Sequence, residues 1–243
     1  MNSECIVIIA NDPEESADLH DIESILGKNN TCYLRRAMLF DTMDSCLRMP
    51  DVDVAVYYSP VKSKEHFEKM LELFSHEEKD KSIESRVKEI KLYPQESETM
   101  IENISNAFEN IFGKGYKRVI MIGSYCIQLN SSLLYPGFLL LNKKNVVIGP
   151  SFSGRYYLFG MSEYIPGIFD GVHWESDDFY VRLGKNLDNA GVSVQELELS
   201  YEVYSIEELN QLIGDIGCWR SVGDEKTAYH TEKFLRTLSD HSC

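Results

Sequence analysis

Residues 116–130 read YKRVIMIGSYCIQLN and residues 145–160 read NVVIGPSFSGRYYLFG. Each stretch holds a short apolar run, 119–122 and 146–148, that ends in a small-residue turn, Gly123-Ser124 and Gly149-Pro150. Such runs suit strands buried on both faces of a parallel sheet, whose carboxyl ends open onto a ligand crevice. A ligand site is therefore expected here. Its side chains are Tyr125, Cys126, Ser153 and Arg155, where a catalytic crevice more often shows carboxylates.

Upstream, residues 5–10 (CIVIIA), closed by Asn11-Asp12-Pro13, read as a first buried strand, and residues 52–58 (VDVAVYY) as a second. Between them, 12–30 read as loop with a helical turn, and Thr31 as the N-cap of a helix to Met49 that Pro50 stops. Residues 62–76 carry Phe67, Met70, Leu71 and Phe74 on one helical face. The charged stretch 77–86 reads as a solvated connection and 87–92 as a short strand. Residues 97–112 place Met100, Ile101, Ile104, Ala107, Phe108 and Ile111 at helical spacing, closed by Gly113 and Gly115.

Downstream, 131–141 read as a helix interrupted by Pro136, 156–159 as a strand, 177–190 as a helix ended by Gly191, and 192–199 as an alternating strand. Ser205 and Glu208 form a capping box for a helix over 205–216, and 225–238 read as a terminal helix. Strands alternating with helices predict an α/β domain with a mainly parallel sheet.

The chain has 243 residues, 43% of them hydrophobic and 26% charged, as expected of one globular α/β domain. With 24 basic and 39 acidic residues its net charge is −15. So acidic a surface repels phosphate backbones, and the runs Arg35-Arg36 and Lys143-Lys144 are too short to offset it, so no nucleic-acid partner is expected. No basic leader precedes the first apolar run, and no stretch approaches the roughly 20 apolar residues of a membrane span. Cys5, Cys32, Cys46, Cys126, Cys218 and Cys243 lack metal or redox spacing and read as reduced thiols. The expectation is a cytoplasmic protein without a membrane partner.

A set of short motifs recurs in order along the chain: Leu39-Phe40-Asp41-Thr42; Gly115 to Val119 leading to Ile122-Gly123-Ser124; Val147-Ile148-Gly149-Pro150; Gly154 with Tyr156 to Gly160; Phe169 with Trp174; and Glu207-Glu208-Leu209. In this order and spacing the chain resembles the bacterial and archaeal GT-A-fold proteins of the nucleotide-diphospho-sugar transferase superfamily. These include the glycosyltransferase A-like proteins and, more distantly, the 2-phospho-lactate guanylyltransferases. The resemblance implies a GT-A, Rossmann-like α/β three-layer sandwich with a mainly parallel central sheet over residues 1–217, followed by a C-terminal helical extension, 218–243. It also implies a nucleotide or nucleotide-sugar ligand. The crevice residues expected to touch such a ligand are Ala10, Asn11, Gly123, Ser124, Tyr125, Cys126, Gly149, Pro150, Ser153, Gly154, Arg155, Tyr156 and Trp174.

The charged positions of that family are where this chain departs from it. The family's Lys-Thr-Arg-Leu motif, which faces the nucleotide phosphates, falls on Ser16-Ala17-Asp18-Leu19; its metal aspartate falls on Tyr125. Its Asp-Gly-Gly turn falls on Ser153-Gly154-Arg155, and its late Asp-x-Asp-Thr on Glu202-Val203-Tyr204-Ser205. A divalent metal on a diphosphate needs carboxylate oxygens, and charge developing on the leaving group needs cations or metal. Mg²⁺ or Mn²⁺ is thus expected only with a rearranged site, no metal-ligating residues are assigned, and Arg155 and Glu202 are the catalytic candidates that remain.

Each candidate has a plainer alternative. Cys126 has no nearby histidine to activate it, so filling space outweighs nucleophilic attack. Arg155 either binds an anion or pairs with a neighbouring carboxylate. Tyr156 and Tyr157 read as strand packing rather than base stacking. Asp170, His173, Glu175, Asp177 and Asp178 include metal-competent groups, but read first as acidic charge at a helix start. His20, His66, His76, His230 and His241 read as exposed. Three readings follow: a ligand- or partner-binding protein that has lost metal-dependent transfer; a transferase with a rearranged site; and a structural subunit, as a homodimer through its tyrosine-rich strands.

Overall fold

The run CIVIIA forms the middle of β1 (Glu4–Asn11), a central strand of a seven-stranded sheet in the computed structural model, which describes residues 2–78 and 80–240. The remaining strands are β2 (Val52–Ser59), β3 (Lys91–Pro94), β4 (Arg118–Gly123), β5 (Val146–Pro150), β6 (Tyr156–Met161) and β7 (Val194–Glu196). They lie in the order β3-β2-β1-β4-β6-β5-β7. β1 runs parallel to β2 and β4, with Ile8 opposite Val56 and Ile122, while β6 is antiparallel to both β4 and β5. The expected α/β, mainly parallel sheet is what the chain forms.

The helices are α1 (His20–Leu26), α2 (Lys28–Leu47), α3 (Lys64–Glu77), α4 (Lys81–Val87), α5 (Met100–Gly113), α6 (Ser131–Leu141), α7 (Phe179–Asn189), α8 (Ile206–Ser221) and α9 (Tyr229–Asp240). Alternate side chains of each strand enter different cores, because Cβ atoms alternate across a sheet. Ile6, Ile8, Val54, Val56 and Ile122 pack with Phe40, Phe67, Phe74, Ile83 and Phe138 from α2, α3, α4 and α6. Cys5, Val7, Tyr57, Val119 and Met121 pack on the other face with Ile104, Phe108, Leu183 and Leu187 from α5 and α7. A third cluster joins α1, α2 and α8 through Ile22, Leu34, Met38, Leu209 and Leu212. Three layers result.

Several elements depart from expectation for physical reasons. α2 begins at Lys28, after Gly27 at φ 75° and ψ 158°, a conformation open essentially to glycine alone; Thr31 lies inside the helix and donates its hydroxyl to the Gly27 carbonyl. The stretch 77–86 is not wholly a solvated connection: α4 forms there because Asp80 caps it and Ile83 and Val87, one turn apart, are buried. α6 runs through Pro136 without interruption. β7 covers only three residues of the expected strand 192–199, although Leu197 still donates its amide to Ile148. α8 continues to Ser221, so the expected boundary after residue 217 falls inside a helix, and α9 packs back on α2.

His20 and His76 are exposed and His66 is half-buried, but His230 is buried, held by Phe40, Phe74 and Tyr229 at ring-centroid distances of 5.5, 5.5 and 5.3 Å. Burial pushes its imidazole down to about 4, so it is neutral at pH 7. His241 and Cys243 lie outside the described residues. Among the described residues, no helix is long and apolar enough to cross a membrane.

Candidate functional site

The strand order reverses between β1 and β4, and open α/β sheets bind ligands in the crevice beyond the carboxyl ends at such a point. A cavity of about 650 Å³ lies there, within the roughly 300–1,000 Å³ typical of small-molecule pockets. Its floor is apolar, from Ile9, Met121 and Ile122 of the strands and Met100 and Ile104 of α5. The tight turn Gly123-Ser124 lets the loop after β4 line the opening, and a Cβ on Gly123 would stand 3.5 Å from Glu202 Oε1.

Of the crevice residues singled out from sequence, Asn11, Gly123, Ser124, Tyr125, Ser153, Arg155, Tyr156 and Trp174 line this cavity, as does Glu202. Ala10, Cys126, Gly149, Pro150 and Gly154 do not. Ala10 and Cys126 are buried in the core, and the Cys126 thiol donates to the Tyr201 carbonyl at 3.5 Å. Burial, with Glu202 nearby, pushes that thiol well above its ordinary pKa, the opposite of what a nucleophile requires. Gly149 is a packing position: a Cβ there would meet the Tyr157 ring at 2.4 Å. Pro150 ends β5 beside a register shift, and Gly154, at φ 77°, turns the chain from β5 into β6. Tyr156 and Tyr157 are buried within β6, which has neighbours on both sides.

Charge in the cavity wall is largely spoken for. Asp18 accepts from Arg35 Nε at 3.0 Å, from the Tyr125 hydroxyl at 2.7 Å and from Asn11 Nδ2 at 3.3 Å. Arg35 is buried and also meets Glu23 at 3.6 Å and the Pro13 carbonyl. Arg155 donates through Nε to the Trp174 carbonyl at 2.8 Å, and its terminal nitrogen lies 3.6 Å from Glu175. Glu202 is buried, takes a hydrogen bond from Ser151 and lies within the field of Arg155; desolvation dominates and pushes its carboxyl up to about 7.

Aromatic rings complete the walls. Tyr156 meets Trp174 edge-on at 5.3 Å and Tyr125 meets Tyr204 edge-on at 5.2 Å, the arrangement ring quadrupoles favour. Sequence reasoning missed Asp18 as a crevice residue in its own right, along with His20, Glu175 and the ring of Tyr204. The acid at position 18 and the buried Arg35 on a nearby helix were the available signal, but only folding shows that they pair.

A divalent metal does not fit this donor set. Asp18 already serves three donors, Glu175 pairs with Arg155, and Glu202 stands apart as a single acid that titrates near neutrality. Among the described residues, no group of three or more His, Cys, Asp or Glu side chains is placed to hold a metal ion, including the run from Asp170 to Asp178.

Sheet order, layers and crevice define an α/β protein of the nucleotide-diphospho-sugar transferase fold. A candidate nucleotide-diphospho-sugar transferase from Desulfovibrio desulfuricans G20 superposes with a TM-score of 0.82 at 22% identity, over 99% of this chain and 96% of that one. The 4-diphosphocytidyl-2C-methyl-D-erythritol synthase of Anaerococcus prevotii follows with a TM-score of 0.57 at 12% identity, over 88% and 97%. A cytidylyltransferase from Leptospira borgpetersenii also gives 0.57, at 9% identity over 99% and 96%. At these identities the likeness concerns the fold. The chain belongs to the family described as uncharacterized protein conserved in bacteria (DUF2064), which matches residues 42–176. Comparison with curated proteins gave no match.

Proposed function

We propose that this protein binds a nucleotide-type small molecule in the crevice between β1 and β4 without a metal ion, and has given up metal-dependent transfer. The observation that carries this reading is Asp18, which stands where the resembling family presents a cation to phosphate and here neutralises Arg35 while holding Tyr125. Tyr125 in turn occupies the position of the family's metal aspartate. The names of the similar structures, one of them a synthetase complexed with CTP, support the ligand class.

A second reading, a transferase with a rearranged site, draws on Glu202. A carboxyl titrating near 7 beside an arginine suits a general acid or base at neutral pH. Thermal-shift and calorimetric titration with nucleosides, nucleotides and nucleotide sugars, in EDTA and in Mg²⁺ or Mn²⁺, separates the two. Metal-independent stabilisation without turnover supports the first reading; metal-dependent binding with product formation supports the second. A structural role in a homodimer predicts a solution mass of two chains and no stabilisation by any member of the series.

A further inference from the structure

One residue of the cavity wall carries a polar group that is buried and unpaired, and it favours one kind of ligand. Tyr156 is 5% exposed, its ring forms part of the lining, and its hydroxyl has no hydrogen-bond partner among the described residues. Glu202, also 5% exposed and bonded by Ser151, lines the same space. A buried polar group left unpaired is costly, so a ligand that reaches the Tyr156 hydroxyl gains what the free protein lacks.

The same wall is poor in available positive charge. Arg35 is turned away into its contacts with Asp18, Glu23 and Pro13 and does not line the cavity. The basic side chains that do are Arg155, engaged by Trp174 and Glu175, and His20 at the exposed rim. Three acids, Asp18, Glu175 and Glu202, share the lining with them. A phosphate brought into this space would meet three acidic side chains and a single, already engaged arginine, and like charges brought together across an interface are unfavourable. Aromatic rings remain, from Tyr125, Tyr156, Trp174 and Tyr204, with the unpaired Tyr156 hydroxyl among them.

We infer that the cavity selects an uncharged, hydroxyl-bearing ligand, a nucleoside or a free sugar, over the phosphate ester of the same compound. The inference rests on the metal-free binding reading above and narrows it to one substrate class, opposite in charge preference to what the resembling family implies.

The test is a matched series in EDTA at low salt: uridine, cytidine, adenosine and guanosine against their mono- and diphosphates, and free hexoses against hexose 1-phosphates, by calorimetry on the full chain. The uncharged member of at least one pair is expected to bind about ten-fold or more tightly than its phosphate ester. Nucleoside against sugar arms decide which source the chemistry comes from. Glu175→Gln, at a side chain 91% exposed, frees one end of Arg155 and is expected to narrow the preference by raising phosphate affinity. Phosphate esters binding as tightly as or more tightly than their uncharged partners in EDTA overturn this inference while leaving metal-free binding intact. Binding that requires Mg²⁺, or no binding by any member, overturns both.

Discussion

The Tyr125 hydroxyl donates to the Asp18 carboxylate at 2.7 Å, tying the loop after β4 to the loop after β1 across the mouth of the crevice. Arg35 completes the cluster from inside α2 at 3.0 Å. Removing the hydroxyl in Tyr125→Phe deletes one charge-assisted bond and is expected to lower stability by about 1–2 kcal/mol. Arg35→Ala leaves Asp18 without its cation and opens a buried space, an expected loss of about 3 kcal/mol or more. Urea unfolding midpoints check both, and an Arg35→Ala variant as stable as the parent would contradict the pairing.

Glu202 makes stability depend on pH. Its carboxyl is raised from 4.5 to about 7 on folding, so the native state holds the proton more tightly than the unfolded chain. Its contribution is fully present below 4.5 and is lost as pH rises towards 7, up to about 3 kcal/mol by linkage. Glu202→Gln cannot ionise and escapes that loss. Chemical denaturation from pH 4 to 8 should show the variant gaining on the parent across this window; a constant difference would rule out a buried, protonating Glu202. Comparing the two proteins cancels Asp41, also raised to about 7, and His230, lowered to about 4.

Asp41, outside the cavity lining, has a structural task. Its carboxylate accepts the backbone amides of His230 at 2.7 Å and Thr231 at 2.8 Å, capping the first turn of α9 from α2. Asp41→Ala is expected to cost about 1–3 kcal/mol and to raise amide exchange over residues 229–240 before the sheet responds. Uniform exchange across the chain would deny α9 this anchor.

At Gly149 the tyrosine ring of residue 157 fills the place of a side chain. Gly149→Ala must displace Tyr157, whose hydroxyl is anchored to the Glu198 carbonyl at 3.0 Å, with an expected loss of about 1–3 kcal/mol. Thermal unfolding reads it directly; a neutral substitution would show that the ring moves freely.

The sheet was legible because its strands are continuous apolar runs ending in small residues, and α5 because Met100 to Ile111 keep a helical period. α2 was harder. It is buried on nearly all sides, with Thr31, Arg35, Asp41 and Thr42 inside, so no apolar face stands out. α4 was hidden by its charges, although Ile83 and Val87 mark its buried side. The crevice could be located from Gly123 and Arg155, but not its state of charge. Whether Asp18 repels phosphate or neutralises a cation depends on Arg35, 17 residues away in sequence and brought beside it by the turn at Gly27.

Metal dependence decides the account most directly. Calorimetric titration of the full chain with its best-binding nucleoside or nucleotide ligand, once in EDTA and once in millimolar Mg²⁺, should return the same affinity within about two-fold, because the crevice carboxyls are committed to Arg35, Arg155 and their own proton. Affinity that appears or rises steeply only with Mg²⁺ would show that these groups do assemble a metal site, and would contradict the proposal at its centre.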